Sequence, residues 1–149
     1  MHIEKRLEEL GIKLPTPVQP LATYVRYVQT GNLLYISGSG PSEEYPSGKL
    51  GIDLTVDQGY AAARDVGITL ISTMKEALGD LDRVKRVVKV LGMVNSAPDF
   101  ADQPKVINGC SDLMVEVFGD AGRHARSAVG FVALPNQIAV EIEVIVEVA

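Results

Sequence analysis

The run Arg126-Ser-Ala-Val-Gly-Phe-Val-Ala-Leu-Pro-Asn-Gln-Ile-Ala-Val-Glu-Ile-Glu-Val-Ile-Val-Glu-Val148 decides the fold of this chain. In its second half Val140, Ile142, Val144, Val146 and Val148 fall on one side of an extended backbone, with Glu141, Glu143 and Glu147 on the other. Successive side chains of a strand point to opposite faces of a sheet, so this period of two predicts a strand with one core face and one acidic face. The first half alternates as well, with Ser127, Val129, Phe131 and Ala133 on one side and Arg126, Ala128, Gly130 and Val132 on the other. Two strands are therefore expected, 126–133 and 138–148, joined by Leu134-Pro-Asn-Gln137, and Arg126 could share a face with the glutamates. In a simple hairpin through that loop, Glu141 would sit nearer Val129 than Arg126, so direct cross-strand pairing of the two within one chain is not expected, and a neighbouring chain could complete the site.

Working upstream, Phe100, Gln103, Ile107, Cys110, Met114 and Val117 recur at helical spacing, Pro104 is tolerable only in a first turn, and Gly119 ends the run. Residues 84–95 are dominated by Val, Leu and Met and read as a strand. A long amphipathic helix precedes it, starting at the N-cap candidate Thr55, continuing through Tyr60, Ala63, Val66, Leu70 and Met74, and stopping at Gly79. Its charged side, with Asp57, Arg64, Asp65, Lys75 and Glu76, reads as a solvated surface. Residues 38–53 carry Gly, Pro and Ser with little periodicity, and a loop of that length beside a compact core is a place to look for a ligand. Ahead of it, 24–29 and 33–37 are β-branched and aromatic, with Thr30-Gly31-Asn32 as hairpin chemistry between them. Residues 2–10 form a short docking helix with Ile3, Leu7 and Leu10 on one stripe, and 14–20, with three prolines, an extended connector. The order ββ-α-β-α-ββ implies an α+β fold, a mixed sheet with both helices on one face, and the 149 residues suit one domain, with 1–20 as its amino-terminal helix and connector.

Composition narrows the function. The chain is 46% hydrophobic and 22% charged, which is enough apolar surface for a core. A net charge of -5 with scattered Lys and Arg disfavours nucleic-acid binding. No apolar run approaches the ~20 residues of a membrane span. Cys110 is the lone cysteine, so no intrachain disulfide is possible and a reducing cytoplasm is expected; one Cys and two His also exclude a four-ligand structural zinc. Cys110 sits on the apolar helix stripe and reads as a buried structural thiol. His124 reads as a surface or interface histidine, because no Ser, Cys or carboxylate stands at a spacing that identifies a triad. Arg126 opens a strand among small residues, where a planar guanidinium can grip a carboxylate through two parallel hydrogen bonds; the plainer reading is a subunit salt bridge.

The segment 124–143, an Arg-Ser followed by a strand, Leu-Pro and a Val-Glu-Ile-Glu strand, resembles the signature of the Rid (reactive intermediate deaminase, YjgF-like) family. The resemblance extends to Tyr24-Val25, to 31–38, to Ala61-Ala62-Ala63 and to Asp99-Phe100, covering about residues 20–149. It implies a chorismate-mutase-like fold and a homotrimer with pockets between subunits. It also implies cofactor-free hydrolysis of 2-imino or enamine acids to 2-oxo acids and ammonia. By position, Arg126 matches the arginine that holds the substrate carboxylate, Tyr24 the pocket tyrosine, Gly38 a backbone contact, Asn108 the pocket asparagine and Glu141 the pocket glutamate that would help water attack. Ala128 stands where many members have cysteine, and the amino-terminal helix and 45–49 lie outside the smaller members' pattern. A non-catalytic module binding a small carboxylic acid through the same pocket is the alternative. A ribonuclease reading comes last, since the acidic chain lacks a basic track or a His pair.

Overall fold

The computed structural model describes residues 2–17, 19–20 and 22–149, so residue 18 of the predicted connector lies outside the described residues. Five strands, β1 (Tyr27–Thr30), β2 (Leu33–Ser39), β3 (Val84–Asn95), β4 (Ala125–Phe131) and β5 (Val140–Val148), form one sheet in the order β1-β2-β5-β3-β4. Three helices, α1 (His2–Glu9), α2 (Val56–Leu78) and α3 (Gln103–Phe118), complete the predicted order, with α1 ahead of it. Among the described residues no helix is long and apolar enough to cross a membrane.

β5 occupies the middle of the sheet, antiparallel to both β2 and β3. Its five predicted core residues are all buried, as the alternation requires. β3 pairs with β4 in parallel, a pairing that needs a long crossover, and α3 supplies it. The expected hairpin between the last two strands is therefore replaced: β3 lies between β4 and β5, and the 134–139 loop steps across its end. Asn95, fully buried there, holds that loop by donating from Nδ2 to Gln137 Oε1 at 3.1 Å and to the Ile138 carbonyl at 3.2 Å. The alternation in the sequence defines faces but does not say which strand is the neighbour.

The same register corrects the placement of Arg126. Leu91 pairs with Ser127 on one side and Glu143 on the other, whereas Val90 pairs with Arg126 and Val144. The glutamates thus share the open face with Ser127 and Val129, and Arg126 points to the face covered by the helices. A side chain on Gly92, two residues along β3 from Val90, would run into Ile107 of α3, which fixes that face as the helical one.

Local chemistry sets the helices. Thr55 and Gln58 form a reciprocal capping box at the start of α2, and Gly79 accepts the left-handed conformation at its end with φ +77. α3 begins at Gln103 rather than Phe100, with Pro104 in its first turn. The charged side of α2 is exposed or half-buried, as expected of a solvated face, and also serves for anchoring: Glu76 pairs with Arg26, Lys75 with Glu4 of α1, and Asp65 Oδ2 accepts from the Ser42 backbone at 2.8 Å. α1 docks as expected. Leu7 is buried, Arg6 Nε donates to the Glu116 carbonyl at 2.9 Å, and the Asp82 carboxylate accepts from the backbone N–H groups of His2 and Ile3, each at 2.9 Å. Those two bonds satisfy orphan donors of the α1 amino terminus.

α2 and α3 pack closely because Gly109 has no side chain; a Cβ there would overlap the Tyr60 backbone carbonyl. Alanine gains up to about 1 kcal/mol of helix propensity over glycine, but a clash against backbone has no rotamer escape and overpacking costs about 1–3 kcal/mol. Gly109→Ala is therefore expected to lower the urea midpoint by a net destabilisation of about 1–2 kcal/mol, and an unchanged or raised midpoint would show that the helices separate freely.

Candidate functional site

On the helical face at the end of the sheet, the Arg126 side chain lies against α3. Its Nη1 donates to Asn108 Oδ1 at 2.8 Å and to Ser111 Oγ at 3.2 Å. Asn108 and Ser111 stand one turn apart on α3, so both meet the same strand residue. Ser111 Oγ lies 2.9 Å from His124 Nε2, and His124 Nδ1 lies 2.6 Å from the Gly122 carbonyl oxygen. Burial lowers the His124 pKa, the Arg126 charge acts in the same direction, and the bond to Gly122 opposes both. A cavity of about 280 Å³ opens here, with Asp112, Arg123 and the four residues just described in its wall. Nε and Nη2 of Arg126 make no hydrogen bond or ion pair among the described residues.

Gly38 and Glu141 form a second cluster on the other side of the sheet. The β2–β5 register slips between Ile36 and Ser39, and this bulge brings Gly38 beside Glu141. A Cβ on Gly38 would overlap Glu141 Oε2, so the missing side chain makes room for the carboxylate. Burial raises the Glu141 pKa above the ordinary glutamate value, and the Glu143 charge adds to the rise. Tyr24 was expected in a strand, but β1 begins only at Tyr27, which leaves Tyr24 56% exposed on the lead-in segment. Tyr24 and Gly38 line one cavity of about 480 Å³, which also contains Arg26. Arg26 pairs with Glu76 through Nη2, while its buried Nε and Nη1 have no hydrogen-bond partner.

Of the five sequence-derived candidates, Arg126 meets Asn108 and Glu141 meets Gly38, while Tyr24 shares with Gly38 a cavity that Glu141 does not line. Arg126 and Glu141 lie on opposite faces of one sheet. The structure also adds Ser111 and His124 to the Arg126 cluster. His124 had no recognisable partner at sequence level because Ser111 is thirteen residues away on a helix; its one legible signal was helical spacing from Asn108. Cys110 is fully buried, and burial pushes its thiol up to about 12 against the opposing Arg126 charge, so it stays an inert thiol.

Known proteins share this arrangement of elements. A family model described as YjgF/chorismate mutase-like, a description that also carries the word endoribonuclease, matches residues 4–147. Protein TCP17 of Trypanosoma cruzi is 49% identical over 98% of this chain and 94% of its own length. A 2-iminobutanoate/2-iminopropanoate deaminase of Dermatophagoides farinae is 32% identical over 91% of this chain and 93% of its own. The crystal structure of an Agrobacterium tumefaciens protein of unknown function superposes with a TM-score of 0.91 at 44% identity, covering 99% of this chain and 92% of that one. With a model matched from residue 4 to residue 147 and such relatives along nearly the whole length, the chain belongs to the YjgF/chorismate mutase-like family, that of the Rid proteins.

Proposed function

We propose that the protein hydrolyses 2-imino or enamine acids to 2-oxo acids and ammonia, with Arg126 holding the substrate carboxylate. The observation that carries this reading is the anchoring of Arg126: both bonds from the protein fall on Nη1, so Nε and Nη2 remain as a planar pair of donors for two carboxylate oxygens. The 32% identical deaminase adds support for the reaction class. Glu141 is the proposed base. It accepts a proton from water as the water oxygen bonds to C2 and the C=N electron pair moves to nitrogen, and it passes that proton to the nitrogen to give the neutral carbinolamine. The carbinolamine hydroxyl proton then moves through Glu141 to the same nitrogen as the C–N bond breaks with its electron pair, the carbonyl closes and ammonia leaves.

Arg126 and Glu141 face opposite sides of their own sheet, so one ligand can meet both only where a second copy contributes one of them. A homotrimer with pockets between subunits satisfies this requirement. Support comes from the sheet face opposite the helices, which leaves Tyr35, Val129 and Phe131 each more than 40% exposed in the single chain. No cofactor has a role in this chemistry, and the lone Cys110 suits a reducing, cytoplasmic setting.

The test is a coupled assay that generates 2-aminoacrylate or 2-iminobutanoate and follows 2-oxo acid and ammonia. Wild type is expected to accelerate release; saturable binding of 2-oxobutanoate without acceleration would instead favour the carboxylate-binding module. Arg126→Lys keeps the charge but loses the two-point grip, and should lower kcat/KM by roughly ten- to a hundred-fold with the urea midpoint little changed.

Because Glu141 must be ionised to act as base and its pKa is raised, the rate at saturating substrate should climb with pH through an acid limb centred above 4.5, the ordinary glutamate value. Glu141→Gln should erase that limb along with most of the rate; a persisting limb in the variant would assign it to another group. Sedimentation equilibrium at micromolar concentration should return three times the 16.0 kDa chain mass. A single-chain mass in an active preparation would sink the shared-pocket reading.

A further inference from the structure

We propose that Ser111 and His124 are positioning residues for Arg126, forming a one-way hydrogen-bond chain that dictates which edge of the guanidinium meets the ligand carboxylate. The inference rests on the Arg126 reading above and goes beyond it, by assigning two residues and a recognition geometry.

The direction of the chain follows from chemistry alone. The Gly122 carbonyl oxygen can only accept, so at 2.6 Å the His124 Nδ1 must carry the hydrogen. In the neutral ring Nε2 is then a lone pair, and the Ser111 hydroxyl 2.9 Å away must donate to it. With its single hydrogen committed, Ser111 Oγ presents only lone pairs to Arg126 Nη1 at 3.2 Å. Asn108 Oδ1 takes the other Nη1 hydrogen at 2.8 Å. The end-on fork, which needs an Nη1–H, is thereby occupied, and the side-on fork of Nε and Nη2 is what remains.

Protonation of His124 reverses the middle of this chain. Nε2 becomes a donor, competes with Arg126 for the Ser111 oxygen, and sets a second cation beside the guanidinium. The charged groups sharing this cavity are Arg126 on β4, Arg123 next to His124 and Asp112 on α3. Asp112 accepts from the Tyr60 hydroxyl at 2.8 Å, and Arg123 Nε lies 3.6 Å from Asp120 Oδ1. Neither salt-bridges His124, and burial together with the Arg126 charge keeps the imidazole neutral below the usual histidine range. The relay should thus be intact at neutral pH and fail on acidification.

The test measures 2-oxobutanoate binding to the full-length protein by isothermal titration calorimetry between pH 5 and pH 8. The variants are Ser111→Ala, Ser111→Thr, His124→Ala and Arg126→Lys, each first confirmed folded by its urea midpoint. Wild-type affinity should fall as pH drops into the range where His124 protonates. Ser111→Ala and His124→Ala should bind roughly five- to ten-fold more weakly at pH 8, the size of one ordinary hydrogen bond and less than the loss of the grip itself. His124→Ala should also lose the pH step, and Ser111→Thr, which restores a hydroxyl, should recover most of the affinity. Arg126→Lys weakening binding while Ser111→Ala and His124→Ala bind as wild type with the pH step intact would overturn the relay and leave the Arg126 site standing. Unchanged binding in Arg126→Lys would overturn both.

Discussion

The central strand has a neighbour on each side and only one way to lie. β5 presents five branched apolar side chains on one face and three glutamates on the other, so turning it over would bury three carboxylates and expose a continuous valine and isoleucine stripe. Burying even one unpaired carboxylate costs several kcal/mol, which makes the inverted arrangement inaccessible. Since β2 and β3 both pair with β5, its orientation fixes theirs, and β3 passes the choice on to β4. The inward aim of Arg126 and the outward aim of Glu141 are both consequences of this one amphipathic strand.

That geometry separates the two charges a deaminase would use. Apart, each half of the site is held firmly: Arg126 by the side chains of α3, Glu141 by the space above Gly38. Had both residues faced one side of one sheet at close range, they would form an ion pair, and a substrate carboxylate would compete with Glu141 for the guanidinium. Keeping them on opposite faces of the single chain leaves the arginine available and lets burial, rather than a salt bridge, set the carboxyl pKa.

Much of the fold was legible because it rests on local rules. Val84–Asn95 emerged at its actual ends, and the long helix was bracketed by Thr55 and Gly79, since capping chemistry and period are written in adjacent residues. The neighbour of β4 was not legible. A strand's alternation says which residues share a face, while pairing in the sheet depends on α3 carrying the chain past β3 and on Asn95 tying down the return loop. For the site, residue types near Arg126 pointed to a carboxylate grip, and Asn108 entered through family position. Ser111 and His124 escaped because their bond joins a helix to a loop thirteen residues on, and no periodicity records such a contact. The Arg26–Glu76 pair was hidden for the same reason: Glu76 reads as a solvated helix residue, and only the fold lays the segment leading into β1 beside it.

The place of β5 also bears on how the protein comes into being. The last strand of the fold in sequence is the middle strand in space, with β2 more than a hundred residues before it as one partner and β3 as the other. During synthesis α2 and the β1–β2 hairpin can form early, but neither has its sheet to rest on until the chain through Val148 has left the ribosome. At about 5–20 residues per second, that leaves the apolar faces of β2 and β3 unclosed for several seconds. Such dependence on contacts distant in sequence slows folding and exposes the nascent chain to chaperones. A break in β5 would therefore remove the seam along which both halves of the sheet are joined, whereas an equal loss from α1 would strip away a docked accessory.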